Sequence, residues 1–271
     1  MKINRKSLLY CRFLFLIFFL FLKGTGLLIS LLVTDLDLNN YSIVLLKEVL
    51  LACFCVFLVF KSGQAHIFHR RGSGIGKGIW IGFYQFSMSS VTLIINLFLE
   101  EVERTLQPWY MILTFFLCMI CVGIAEELFF RGVIAEILFE RFGVDRAGIW
   151  KAVILSGAFF GIVHLNNLSF GEPIGVLVQV IGASVSGMVF TAIYYRSGSI
   201  WTTILIHSYN DVAALALSGI YGCETVKDII SDYGLLKLIG MIPYIIVLLV
   251  LLRKKKMGEV KRNMERERIH S

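Results

Sequence analysis

Apolar runs of about twenty residues alternate with short polar stretches along the chain. The runs lie near residues 13–33, 43–60, 78–99, 110–131, 148–167, 174–195, 199–218 and 235–252. Each reads as a helix able to cross a membrane, since ~20 apolar residues span the ~30 Å hydrocarbon core. The fourth meets no breaker before Gly143 and can run on toward residue 140. Eight such spans use up the 271 residues. The expected fold is therefore a single polytopic all-α membrane domain over 1–271, with no room for a separate soluble domain. The first run follows "MKINRKS", which resembles a signal-peptide start, and "KGTG" offers a weak cleavage site. The apolar run resumes at once with "LLISLLV", which favours an uncleaved anchor.

The polar stretches alternate in charge. The N-terminus, "KSGQAHIFHRRGSGIGKG", the segment around Arg141–Lys151, "YYRSGS" and the tail 253–271 are basic, whereas "TDLDLNN", "EEVERTLQ" and "ETVKDIISD" are acidic or mixed. Lys and Arg stay on the cytoplasmic side, so an even number of spans with both termini cytoplasmic satisfies every loop. Composition agrees: 57% of residues are hydrophobic and 17% charged, with a mean hydropathy of +0.78. An ordinary soluble domain carries more charge. The net charge of +7 is then mostly topogenic. The basic tail can touch anionic headgroups. It follows directly on a span, which argues against a nucleic-acid partner. The six cysteines show neither a disulfide framework nor zinc-finger spacing.

Chemistry concentrates between residues 110 and 218. "GIAEELFFRGV", Gly123 to Val133, puts Glu126, Glu127 and Arg131 inside an apolar helix. A charge at bilayer depth costs ~2.5–3.5 kcal/mol on insertion scales, so three together need partners or a purpose. Glu127 and Arg131 are four apart and meet on one face as an ion pair. Glu126 points ~100° away and must face something else. His164 closes "SGAFFGIVH", where Gly157 and Gly161 form a small-residue stripe that permits close helix approach. His207 opens "HSYND", with Asp211 on the same helical face. Glu126, His164 and His207 can share one depth, in a helix-lined cavity. A carboxylate there can serve as general base toward water, and imidazoles can polarise a carbonyl or stabilise an oxyanion. Ser156 and Ser208 lie near but in no nucleophile-elbow motif. His66 and His69 read as surface groups of the basic loop. Lys47 and Glu48 read as snorkelling groups or a mutual pair, and the aromatic first span reads as lipid-facing.

On "EELFFR" (126–131), "FGIVH" (160–164) and "HSYND" (207–211), the chain resembles the CPBP intramembrane proteases. This group is also called the CAAX protease or Abi family and includes the Ras-converting CAAX endopeptidases and bacteriocin-processing or immunity proteins. Its pattern is EExxxR, FxxxH and HxxxN or HxxxD on successive helices. The resemblance spans roughly 108–218. It implies that Glu126 activates water with help from His164, that His207 and Asp211 form or orient the oxyanion site, and that Glu127 and Arg131 support them. Where the family has Asn at the last position, this chain has Asp211. An ionised Asp cannot donate a hydrogen bond, so Asp211 would orient His207 or be protonated. Asn210 faces ~100° away and is no substitute.

A metal stays open at this level. Glu126, His164 and His207 could supply the three ligands of a catalytic zinc. HExxH is absent, and a glutamate-activated water without metal is the favoured reading. The implied function is an intramembrane endopeptidase acting on a CAAX-type prenylated tail, a bacteriocin-like leader or another membrane-associated peptide. The expected setting is multi-pass in a prokaryotic plasma membrane. The alternative is a non-catalytic immunity or scaffold protein on the same fold. A proton-coupled transporter is disfavoured by the lack of an inverted repeat.

Overall fold

The computed structural model describes residues 7–32, 40–70, 72–100 and 104–265. The expectations placed on residues 1–6, most of "TDLDLNN", the middle of "EEVER" and the end of the tail with His270 lie outside these. Among the described residues all regular structure is helical.

Helices α1 (Leu8–Leu32) and α2 (Asn40–Ser62) come first. The third apolar run is not one rod. It forms α3 (Ile75–Ile81) and α4 (Phe83–Ile94), bent by 76° about Gly82. The fourth is the longest, an unbroken 34-residue rod from Trp109 to Phe142. It consists of α5 (Trp109–Glu127), a π-helical stretch over Leu128–Ala135, and α6 (Glu136–Phe142). Gly143, with φ +82°, ends it. Then follow α7 (Arg146–Val163), α8 (Pro173–Ser197), α9 (Ile200–Ala214), the short α10 (Val226–Ser231), α11 (Ile242–Leu251) and α12 (Met257–Glu265).

Among the described residues, five helices are long and apolar enough to cross a membrane, or up to seven if each bent pair is one span. The chain is thus a multi-pass membrane protein. The run expected over 199–218 is where the count differs from eight. Its helix α9 has 15 residues, a rise of about 22 Å, and breaks at Leu215.

Glycines set the helix spacing around the site. A Cβ at Gly157 or Gly161 would run into the α8 backbone at Ser184 and Val180, and one at Gly187 would meet Phe160. The expected small-residue stripe therefore does bring α7 onto α8. On the other side, a Cβ at Gly123 would strike Ser208, so α5 lies close against α9.

Two expectations change. The first helix is not lipid-facing all round. Cys11, Leu14 and Phe18 are buried, and Phe18 stacks on Phe129 at 4.0 Å between ring centroids. His66 is not a surface group either. The short 3-10 turn Ala65–Phe68 tucks under the bundle and brings His66 Nε2 to 3.4 Å from the fully buried Glu136. The Lys47–Glu48 pair forms as expected, at 3.0 Å.

Helix α12 follows α11 across a bend of 55° and folds back onto the bundle. Val260 and Met264 are buried, and Glu259 pairs with Arg196 at 3.0 Å and Lys256 at 3.2 Å. Burial works against the charged form of Glu259. The contacts from Arg196 and Lys256 outweigh it and hold the carboxyl below its ordinary value.

Candidate active site

The rod α5 presents its two carboxylates to α9. Because α5 and α9 pack closely at Gly123 and Ser208, the next turn of α5 brings Glu127 against His207, the neighbour of Ser208. His207 Nδ1 and Glu127 Oε1 are 2.6 Å apart. The same oxygen lies 2.8 Å from Arg131 Nη1, so the expected i,i+4 ion pair is present. Glu127 therefore has two partners, and the second comes from a helix 80 residues away. A carboxylate accepts, so the imidazole turns its Nδ1–H toward Glu127.

The other ring nitrogen faces two further carboxylates. His207 Nε2 is 3.4 Å from Glu126 Oε2 and 3.6 Å from Asp211 Oδ2. Glu126 thus faces across to α9 rather than along its own helix to Arg131. Exposure separates the groups into two sets. The side chains of Glu126 and Asp211 are 22% and 19% exposed, whereas Glu127 and Arg131 are fully sealed. Glu126, Asp211 and the half-buried His164 line the accessible side. The sealed pair stands behind His207.

Arg131 is enclosed by more than Glu127. It donates from Nη2 to the Gly187 carbonyl at 3.2 Å and lies over the rings of Phe160 and Phe190, at 4.6 and 5.2 Å. Cation–π contacts of this kind strengthen when desolvated. Phe160 does double service. Its ring centroid is 5.2 Å from that of His164 and 5.7 Å from that of His207. Phe190 stacks on His207 at 5.0 Å.

His164 sits where α7 passes into a 3-10 turn. Its Nδ1 is 2.9 Å from the Phe160 carbonyl. A carbonyl only accepts, so Nδ1 carries the proton and Nε2 presents a lone pair. No hydrogen bond or ion pair joins His164 to Glu126 among the described residues; Phe160 is the ring between His164 and His207. Asn210 turns its Oδ1 toward α4, where it accepts from Gln85 and Ser89, both at 3.1 Å. Ser156 is used internally: it donates to the Phe130 carbonyl at 3.3 Å and accepts from Thr191 at 3.1 Å.

The zinc alternative asks for three converging ligands. Among the described residues no group of three or more His, Cys, Asp or Glu side chains is placed to hold an ion. His207 gives both ring nitrogens to carboxylates and His164 gives Nδ1 to a backbone carbonyl. The residues do not fit a three-ligand zinc centre in this arrangement.

Two features escaped the sequence. The Glu127–His207 bond joins distant segments with no local periodicity to announce it. Glu136, fully buried with Arg70 and Tyr194, forms a second polar cluster nine positions beyond Glu127. An ionisable residue in an apolar stretch was the available signal, but Glu136 lies past 110–131, the expected span.

Residues 108–213 match the family model of type II CAAX prenyl endopeptidase Rce1-like proteins. That stretch runs from the start of α5 into α9 and contains all three motifs, and it bears out the resemblance drawn from them. No curated protein and no solved structure matches the chain.

Proposed function

Taking the Rce1-like CAAX endopeptidase match over 108–213 as premise, we propose that this chain is an intramembrane endopeptidase that uses a water activated by Glu126. The observation that carries the reading is the convergence on His207 Nε2 of two part-exposed carboxylates, Glu126 and Asp211, with the ring locked from behind by Glu127.

In this reading Glu126 takes a proton from water as the water attacks the scissile carbonyl. His164 offers its Nε2 lone pair on the same side and holds the water's second hydrogen. His207, as an imidazolium with protons on both ring nitrogens, donates Nε2–H to the oxyanion as the carbonyl opens and keeps Nδ1–H on Glu127. Asp211 steadies that proton from below, and the proton held on Glu126 passes to the leaving amine. Glu127 and Arg131 keep the ring oriented. No step is assigned to a metal. The substrate class is a membrane-associated peptide, with a prenylated CAAX-type tail first in order. The core lies over 108–218 of one polytopic domain. We read α9 with its π-helical continuation (Leu217–Tyr221) as an eighth crossing, both termini and the basic tail 253–271 cytoplasmic, in a prokaryotic plasma membrane.

The test is cleavage of an internally quenched farnesylated CAAX peptide by purified protein in proteoliposomes. The wild type cleaves, and Glu126→Ala does not while inserting normally. Retained cleavage in Glu126→Ala sinks the assignment and leaves the scaffold alternative.

A further inference from the structure

The helix that carries the catalytic groups is not α-helical throughout. Over Leu128–Ala135, directly after Glu127 and including Arg131, the backbone follows the wide π pattern. Such segments are rare and bond i to i+5, so a π turn holds about one residue more than an α turn. If this segment returned to α geometry, the two halves of the rod would shift by about one residue, or ~100°. That is also the angle between Glu126 and Glu127. The register of this segment therefore fixes how Glu126 and Glu127 are rotated about the helix axis relative to an anchor at Glu136.

Side chains from outside the helix hold that segment. Ser156 of α7 donates to the Phe130 carbonyl at 3.3 Å. Tyr195 of α8 donates to the Ala135 carbonyl at 2.6 Å. At the segment's end Glu136 Oε1 receives Arg70 Nη1 and the Tyr194 hydroxyl, both at 2.6 Å. His66 Nε2 stands 3.4 Å from the other oxygen. Arg70 also reaches Tyr194 and, from the tail helix, Met264. All these hydrogen-bonded groups are buried. Ion pairs this deep give little net stability, because desolvation offsets the attraction. A fixed geometry is what they supply.

We infer that Glu136, clamped by Arg70 and Tyr194, is a positioning residue that, with Tyr195, holds the π register and thereby keeps Glu126 and Glu127 in their separate roles. The inference rests on the endopeptidase reading above. It gives the cytoplasmic loop carrying His66 and Arg70 a part in catalysis although neither reaches the site.

The experiment uses the full-length protein in proteoliposomes with the farnesylated CAAX peptide as probe, and hydrogen–deuterium exchange as a readout independent of substrate. For Glu136→Gln and Tyr195→Phe, kcat per folded molecule is expected to fall about tenfold or more with KM changed less than about twofold, the pattern of an interaction lost in the transition state. Arg70→Lys retains more activity than Arg70→Ala. Amide exchange rises over 128–136 in both variants and stays unchanged in α7 and α9. Unaltered kcat in folded Glu136→Gln and Tyr195→Phe, with only thermal stability reduced, overturns the inference. If the wild type cleaves no probe, the endopeptidase reading fails separately. The exchange arm then decides: selective loss of protection over 128–136 supports the clamp, and unchanged protection refutes it.

Discussion

Glu127 Oε1 and His207 Nδ1, 80 positions apart in the chain, stand 2.6 Å from each other in the fully buried centre of the bundle. Arg131 approaches the same oxygen at 2.8 Å. The carboxylate is therefore shared between a charge on its own helix and a ring on another. Its two functions can be separated experimentally.

Removing Glu127 alone leaves Arg131 buried without its counter-charge. Breaking a buried pair in this way costs about 3–5 kcal/mol. Glu127→Leu is expected to unfold at markedly lower temperature in detergent. The double substitution Glu127→Leu with Arg131→Met removes both charges and should recover most of that stability. It should not recover peptide cleavage, because His207 still lacks its Nδ1 acceptor. Thermal unfolding and cleavage assays on the same preparations check this. Recovery of both together would mean that Glu127 serves only to neutralise Arg131.

Gly123 sets the distance between α5 and α9. A larger residue would push against Ser208, next to His207. Overpacking of this kind costs about 1–3 kcal/mol. Gly123→Val should also lower cleavage about tenfold or more by separating Glu127 from His207. Gly182, where an added Cβ meets only the end of Met241, serves as the control position and should tolerate Ala. A Gly123→Val protein with normal kcat would show that close approach here is dispensable.

Asp211 is the position where this chain departs from the Asn form of the motif. An amide can donate where an ionised carboxylate only accepts. Asp211→Asn is expected to keep substantial activity, since its amide oxygen can still accept from His207 Nε2–H, while Asp211→Ala loses about 10²-fold as the oxyanion donor loses its orientation. Equal inactivity of the two variants would place the requirement on the carboxylate charge instead.

The tail helix α12 should be sensitive to acid. The folded Glu259 carboxyl titrates below its ordinary 4.5, because Arg196 and Lys256 favour its charged form against the effect of burial. A depressed folded value stabilises docking fully above 4.5, and that contribution disappears as pH falls through the lower value. Limited proteolysis after Leu252 is expected to be slow at neutral pH and faster in acid. Glu259→Gln should raise the neutral rate and flatten the dependence. An unchanged pH profile in Glu259→Gln would remove this pair as the cause.

The membrane character and most helices were legible because bilayer insertion depends on local composition, which a window of sequence contains. The three motifs were legible for a related reason: Glu127–Arg131 and His207–Asp211 are i,i+4 pairs, and helical geometry alone brings each together. The Gly157 and Gly161 stripe announced a close helix contact, although not which helix would fill it. Where the backbone left ideal geometry, sequence periodicity failed. The bend at Gly82, the π stretch over Leu128–Ala135 and the short α9 all depend on packing partners rather than on local preference.

The sequence by itself determined that a carboxylate pair, an arginine and two histidines would lie in apolar helices, since their spacing and surroundings are local facts. Only the tertiary structure decided which carboxylate holds His207 and which stays part-exposed, that His66 and Arg70 of the basic loop reach the buried Glu136, and that α12 closes back on the bundle. Those outcomes rest on contacts between helices far apart in the chain, through glycine-spaced interfaces and a one-residue change of helical register. No hydrophobic periodicity records such contacts.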